Sequence, residues 1–153
     1  GYAIVGGEAS NTHHEWLEEY PDRYSQDIRS FLLAGAMVEA NAYVRAQQAR
    51  RKMVKAFHKA FQEVDVLLGP TTPYTTPAYA ENWVEQNLDI VERSMPFTVP
   101  INLAGVPGLA VPMGRCSNGL PVGMQFIGKH LSEKFLFQVG YAWEETNPLR
   151  YTL

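Results

Sequence analysis

Apolar residues recur at steps of three and four through the middle of the chain and predict one long amphipathic helix, from about Met37 to Val64. Its apolar stripe consists of Val38, Ala42, Ala46, Ala49, Met53, Phe57, Ala60, Phe61 and Val64. Basic residues lie mostly off this stripe. We expect them to form the solvated side of the helix rather than a nucleic-acid surface, because charged side chains usually stay exposed.

Two shorter helices are predicted before the long one. The first runs from Tyr2 to about Leu17, and a turn at Tyr20–Tyr24 follows because Pro21 ends the helix. The second runs from Ser25, a residue type favoured at the N-cap, to Ala34. Gly35 is expected to end or bend this second helix.

Three short apolar segments predict β-strands. The run Asp65–Gly69, closed by a proline, predicts a buried strand directly after the long helix. Leu109–Met113 and Val122–Ile127 predict two more, joined into a hairpin by Gly114–Gly119, which contains an Asn-Gly turn signal. Both sides of the hairpin strands are apolar, so we expect interior strands that are covered on both faces.

The segment before the hairpin is rich in proline and glycine. Thr98 to Ala104 predicts a short helical turn, with Thr98 as its N-cap and Pro100 in its first turn. Gly105–Pro107 is expected to end that turn. The pattern of Glu81 to Glu92 is compatible with either a surface helix or a loop.

A last helix is predicted from Ser132 to about Glu145. Its inward-facing residues are expected to be Leu136, Val139, Gly140 and Trp143. Helices before, between and after strands of this kind make a layered α/β architecture. The predicted sheet has few strands for two covered faces, so we expect it to need more strands than this chain supplies. We therefore expect the chain to associate through Leu109–Met113 or Val122–Ile127.

The composition narrows the class of protein. With 153 residues, 46% of them apolar, the chain has the length of a single unit that can bury a core. A net charge of −3 argues against a nucleic-acid partner. The single cysteine, Cys116, favours a reducing, cytoplasmic setting. No apolar run reaches the roughly 18 residues of a membrane span, and no basic segment of a signal peptide opens the sequence.

The residues that carry chemistry form no complete site. His13, His14 and Glu15 lack the His-Glu-x-x-His spacing, so no metal is predicted. Glycine-rich nucleotide motifs and the G-x-S-x-G elbow are missing as well, and no cofactor is predicted. Ser132 is better explained as a helix cap, and Cys116 as an incidental thiol without an adjacent base.

Several blocks of the sequence resemble the C-terminal portion of amidase signature enzymes. They follow one another in the same order and spacing over nearly the whole chain. They are Tyr43–Gln47, Asp65–Pro73, Phe97–Pro112, Gly119–Gly128, and the ending in which Glu133 and Leu136 precede Glu144.

This resemblance implies a function that is completed outside the chain. Family members hydrolyse or transfer amides through a Lys–Ser–Ser triad, whose second serine attacks the carbonyl. That triad lies N-terminal to every block found here. The resemblance therefore implies that residues 1–153 are the C-terminal fragment of a larger amidase domain, with a mixed sheet and helices on both faces. It also implies that the chain holds no catalytic residue and is inactive alone.

The resemblance also implies a wall of the substrate pocket near Phe97–Asn102. The candidate substrate-binding residues are Met95, Phe97, Thr98, Val99, Ile101 and Asn102. Thr98 and Asn102 would supply the polar contacts, although Asn102 could equally tie down the Gly105–Pro107 turn. Gln125, inside an apolar strand, is expected to be a satisfied polar residue of the core.

Three functions stay open at this point. The first is a stand-alone amidase acting on a small-molecule amide, with the remainder of the amidase chain and an oligomer as expected partners. The second is the glutaminase component of a tRNA-dependent amidotransferase. Such components tend to carry an acidic residue shortly before the threonine, where this chain has Met95 and Pro96. The third is a non-catalytic scaffold module.

Overall fold

The computed structural model describes residues 1–78 and 81–148. They fall into two compact units, Gly1–Lys52 and Met53–Leu153. The helices are α1 (Tyr2–Glu19), α2 (Gln26–Ala36), α3 (Ala40–Glu63), α4 (Trp83–Ala104) and α5 (Glu133–Thr146), and the strands are β1 (Val66–Pro70), β2 (Gly108–Arg115) and β3 (Pro121–Gly128). The predicted α/β class is confirmed. A single unit over residues 1–153 stays a prediction.

In the first unit, α1 and α2 pack closely through two glycines. A Cβ atom on Gly35 would lie 2.2 Å from the carbonyl oxygen of Gly6, so only glycine permits this approach. Ile4 and Leu32 are 3% and 2% exposed. Gly35 does not end α2, which continues to Ala36. Its role is to let the two helices meet.

The connection between α1 and α2 follows the predicted turn. Residues Pro21–Arg23 form one 3-10 turn. Ser25 occupies the predicted N-cap position but makes no side-chain cap bond. Its hydroxyl instead bonds to the carboxylate of Asp27 and lowers the pKa of that carboxyl.

In the second unit the described strands form an antiparallel sheet in the order β1-β3-β2. Val66 pairs with Gly128 at one end of β1, and Pro70 pairs with Met124 at the other. Because β1 and β2 each run antiparallel to β3, they run in the same direction and both end where β3 begins. The β2–β3 hairpin, with Gly119 at φ 82° in its turn, is confirmed.

The middle strand, β3, is covered on both faces as predicted. Met124 and Phe126 point to one face and are 3% and 7% exposed, while Gln125 and Ile127 on the other face are both 8% exposed. The same prediction is wrong for β2. Its Leu109 and Val111 point inward, but Ala110 on the opposite face is exposed.

Helix α5 covers the face of the sheet that carries Met124 and Phe126. Leu136 is 2% exposed and joins Val111, Met124 and Phe126 in the buried cluster, against which Val139 and Trp143 pack. The indole Nε1 of Trp143 donates to the carbonyl of Pro112 at 3.0 Å. The predicted inward face of this helix is confirmed.

Helix α4 corrects the predicted short turn at Thr98–Ala104. It is one continuous helix of 22 residues with Pro96 and Pro100 inside it, so Thr98 is not an N-cap. Proline usually disrupts a helix interior because it removes a backbone donor and clashes with the preceding turn. Because of these prolines, the sequence pattern predicts a helical start at Thr98, whereas the helix begins at Trp83. The end was predicted correctly, at Gly105 in the left-handed region with φ 69°.

Candidate functional site

The structure brings the six candidate substrate-binding residues together on the last turns of α4. Met95, Thr98, Val99 and Asn102 share one side of the helix, because they are spaced by three and four residues. On this side Met95 and Asn102 are exposed, and Thr98 and Val99 are half-buried.

The two polar residues of this side bond to their own helix. The hydroxyl of Thr98 donates to the carbonyl of Ser94 at 3.3 Å. Nδ2 of Asn102 donates to the carbonyl of Thr98 at 2.9 Å. The alternative that Asn102 ties down the turn at Gly105–Pro107 is therefore not what the structure shows.

Phe97 and Ile101 lie on the side of α4 that meets the sheet. A Cβ atom on Gly108 would lie 3.9 Å from Cγ2 of Ile101 and 3.8 Å from Oε1 of Gln125, so Ile101 reaches the start of β2 beside Gln125. Both Phe97 and Ile101 are half-buried.

Gln125 links α4 to two elements of the sheet. Its Nε2 donates to the carbonyl of Phe97 at 2.9 Å and to the carbonyl of Pro70 at 3.0 Å. Both amide hydrogens are thereby used, which confirms that Gln125 is a satisfied polar residue of the core. The sequence did not indicate that one of its partners would be the candidate pocket wall.

A second link holds the amino-terminal side of the same wall. The hydroxyl of Tyr74 donates to the carbonyl of Ile90 at 2.7 Å and also contacts the hydroxyl of Ser94. No sequence motif pointed to this residue. The feature of the sequence that could have indicated Tyr74 is its position as the one aromatic residue between two Thr-Thr-Pro repeats, at residues 71–73 and 75–77.

An uncharged cleft of about 560 Å³ lies between the segment after β1, the middle of β2 and the start of β3. Tyr74 belongs to both the cleft and the link to α4. The hydroxyl of Thr71 is buried there and has no hydrogen-bond partner among the described residues. The cleft is lined by Thr71–Thr76, Ala110–Pro112 and Pro121–Gly123. A lining of hydroxyls, prolines and backbone suits a neutral group better than a charged one.

The other candidate groups are engaged in ordinary contacts. Nδ1 of His13 lies 2.9 Å from the hydroxyl of Tyr24, and His14 lies 3.6 Å from the carboxylate of Glu18. Cys116 donates to the carbonyl of Leu120 at 3.3 Å. Among residues 1–78 and 81–148, no three metal-ligating side chains cluster. In that part of the chain, too, no helix has the length and hydropathy to cross a membrane.

The second unit is thus an α/β layer whose central strand is anchored through Gln125 to a proline-containing helix. The family model described as Amidase matches residues 10–137. The chain belongs to the amidase signature family, and the resemblance found in its sequence is confirmed.

Individual relatives agree with this family. The chain is 46% identical over 121 residues to the A subunit of glutamyl-tRNA(Gln) amidotransferase from Thermosynechococcus vestitus, covering 79% of this chain and 24% of that protein. A crystal structure of an amidase matches at 28% identity with a TM-score of 0.77, covering 95% of this chain and 34% of the other. The crystal structure of the corresponding amidotransferase component from Thermotoga maritima matches at 31% identity with a TM-score of 0.67, covering 96% and 33%. The chain therefore spans about a quarter to a third of the length of these relatives.

Proposed function

We propose that this chain is the C-terminal part of an amidase that hydrolyses a neutral carboxylic amide to an acid and ammonia or an amine. The nucleophilic serine of that enzyme lies outside the chain. The observation that carries the proposal is the family match over residues 10–137. Cys116, the most nucleophilic side-chain type here, contacts Asn118 and a backbone carbonyl.

In the intact enzyme the chain has two tasks. Strands β1, β2 and β3 contribute to a larger mixed sheet, and α4 supplies one wall of the substrate pocket. The accessible side of that wall is formed by Met95, Thr98, Val99 and Asn102. Phe97 and Ile101 support the wall on the side of α4 that faces the sheet. The approach to the wall is apolar at Met95 and Pro96, which favours an amide without a charged group next to the reacting carbonyl.

The expected partners and location follow from the same proposal. The partners are the remainder of the amidase chain, a small-molecule amide and a second copy of the protein, and the setting is the cytoplasm. The single cysteine and the net charge of −3 support a reducing compartment and no nucleic-acid partner. No cofactor is needed for serine-based amide hydrolysis.

A second candidate function is the glutaminase component of a tRNA-dependent amidotransferase. It is favoured by the relatives named as A subunits of glutamyl-tRNA(Gln) amidotransferase, one of them 46% identical. The two functions differ in the charge next to the reacting amide, because glutamine carries an amino group and a carboxylate. Met95 offers no negative charge for that amino group, so the stand-alone amidase stays the leading proposal.

The test is ammonia release by the full-length protein. We expect release from apolar amides such as benzamide, little from glutamine, and none from either by the 153-residue chain alone. Preferred turnover of glutamine would favour the amidotransferase component. If neither glutamine nor any other amide is turned over, the non-catalytic scaffold module is the remaining function. Turnover by the chain alone that survives Cys116→Ala and every serine substitution would show that the assignment of roles is wrong.

A further inference from the structure

The carboxyl-terminal half of α4 has little of its own to hold it in place. Pro96 and Pro100 each remove a backbone N–H donor, so the carbonyls four residues earlier lose their helical partners. The polar side chains of Thr98 and Asn102 bond within the helix. The position of these turns relative to the sheet therefore comes from the packing of Ile101 against the start of β2 and from contacts made by other elements.

Gln125 supplies such a contact from the middle of the sheet. It lies on β3, which is paired on both sides, and its side chain is almost completely buried. Its two partners, the carbonyls of Phe97 and Pro70, can only accept hydrogen bonds. The atom that faces them must therefore be the nitrogen, and a side chain with fewer donors cannot hold both.

We propose that Gln125 is a positioning residue for substrate binding, which fixes the Phe97–Asn102 turns of α4 against the sheet through its paired hydrogen bonds to Phe97 and Pro70. This inference rests on the proposed function, since it takes α4 as a wall of the amide pocket. Gln125 itself does not touch the substrate. Its loss changes how well the pocket fits an amide, and leaves the chemistry at the nucleophilic serine in place.

The test uses two substitutions at Gln125 in the full-length protein. Gln125→Met keeps a similar length and volume but donates no hydrogen bond. Gln125→Glu keeps the shape and, when protonated, can donate one bond. Thr146→Val is the matched control, because it keeps the side-chain volume and removes the hydrogen bonds of a side-chain hydroxyl to the backbone of α5, away from α4.

For Gln125→Met we expect KM for benzamide to rise about tenfold, the range that loss of such hydrogen bonds supports, with kcat changed less than about threefold. The ranking of benzamide against acetamide should change as well. Thr146→Val should leave both KM and the ranking within about twofold. A lowered melting temperature with unchanged KM would overturn the proposal, because it would mark Gln125 as a purely structural residue.

Gln125→Glu gives a signature that a structural role would not produce. Burial and the two facing carbonyl oxygens raise the pKa of the introduced carboxyl, since both disfavour its charged form. At acid pH the protonated group donates one of the two bonds, so KM should lie between the value for Gln125→Met and the wild-type value. As pH rises through that raised pKa the donor is lost and KM should climb, whereas the wild-type KM should show no such step. Parallel pH profiles of KM in the two proteins would contradict the proposal.

Hydrogen–deuterium exchange separates this inference from the proposed function. Gln125→Met should speed exchange in peptides covering residues 95–104, and Thr146→Val should not. If the wild type hydrolyses amides but exchange and KM are unchanged in Gln125→Met, the inference fails and the proposed function stands. If no amide is hydrolysed, the proposed function fails, and unchanged exchange at residues 95–104 would still overturn the positioning role.

Discussion

At the scale of single residues, the contact of Gly35 with Gly6 sets how closely α1 and α2 approach. We expect Gly35→Ala to lower the free energy of unfolding by about 1–3 kcal/mol, because its Cβ would overlap the backbone of Gly6. Gly69→Ala is the control, since a Cβ there meets nothing within 4 Å. Chemical denaturation of both variants measures the difference. Equal stabilities would show that the helices separate at little cost.

Ile101 is either a residue of the substrate pocket or a residue of the hydrophobic core, and one substitution distinguishes the two roles. If it supports the substrate wall, Ile101→Ala in the full-length protein should change the preference between small and bulky amides by about 1–3 kcal/mol in relative kcat/KM. The melting temperature should fall only slightly, because the side chain is half-buried. An unchanged preference with a clearly lower melting temperature would mark Ile101 as core.

Single residues also show which contacts could be predicted from the sequence and which could not. The inward residues of α5 could be predicted because one helix face meets one sheet face, and periodicity carries that information. The bond from Gln125 to Phe97 could not be predicted. It joins positions 28 residues apart, and nothing in the local pattern of either segment indicates the other.

At the scale of elements, α5 packs against the sheet through Leu136, which is 2% exposed. Leu136→Ala should lower the free energy of unfolding by about 2–5 kcal/mol, because it leaves a cavity among Val111, Met124 and Phe126. Gln138→Ala, on the exposed side of the same helix, should change it by less than about 0.5 kcal/mol. Thermal or urea unfolding of the full-length protein compares the two. Similar losses would mean that α5 is not held by this cluster.

Helix α4 marks the limit of element prediction. Its end at Gly105 is set by a local backbone conformation, which the sequence signals. Its length is not local, because the helix continues through Pro96 and Pro100 in spite of their low helix propensity. The side chains of Tyr74 and Gln125 donate hydrogen bonds to the backbone of this proline-containing helix. Such tertiary support is absent from any sequence window that contains the prolines.

At the scale of the whole molecule, the described sheet has two outer edges, which belong to β1 and β2. β3 is paired on both sides, so of the two segments expected to associate, Leu109–Met113 lies on an edge strand and Val122–Ile127 does not. Large apolar side chains also remain exposed, among them Leu68 at 63%, Phe137 at 66% and Tyr141 at 64%.

These surfaces predict the behaviour of the chain on its own. Open strand edges and contiguous apolar surface favour association. We expect the isolated 153-residue chain to form oligomers at micromolar concentration and to bind a hydrophobic dye, and light scattering measures the first of these. A monomer that binds no dye would mean that the chain closes its own core and needs no further strands.

An amidase whose nucleophile lies outside residues 1–153 has a direct chemical signature. The full-length protein is first inactivated with a serine-directed fluorophosphonate. Peptide mapping by mass spectrometry then identifies the modified residue. We expect one modified serine, located outside residues 1–153, with loss of ammonia release from benzamide. Modification of a serine within Gly1–Leu153 that abolishes ammonia release would contradict the proposed function.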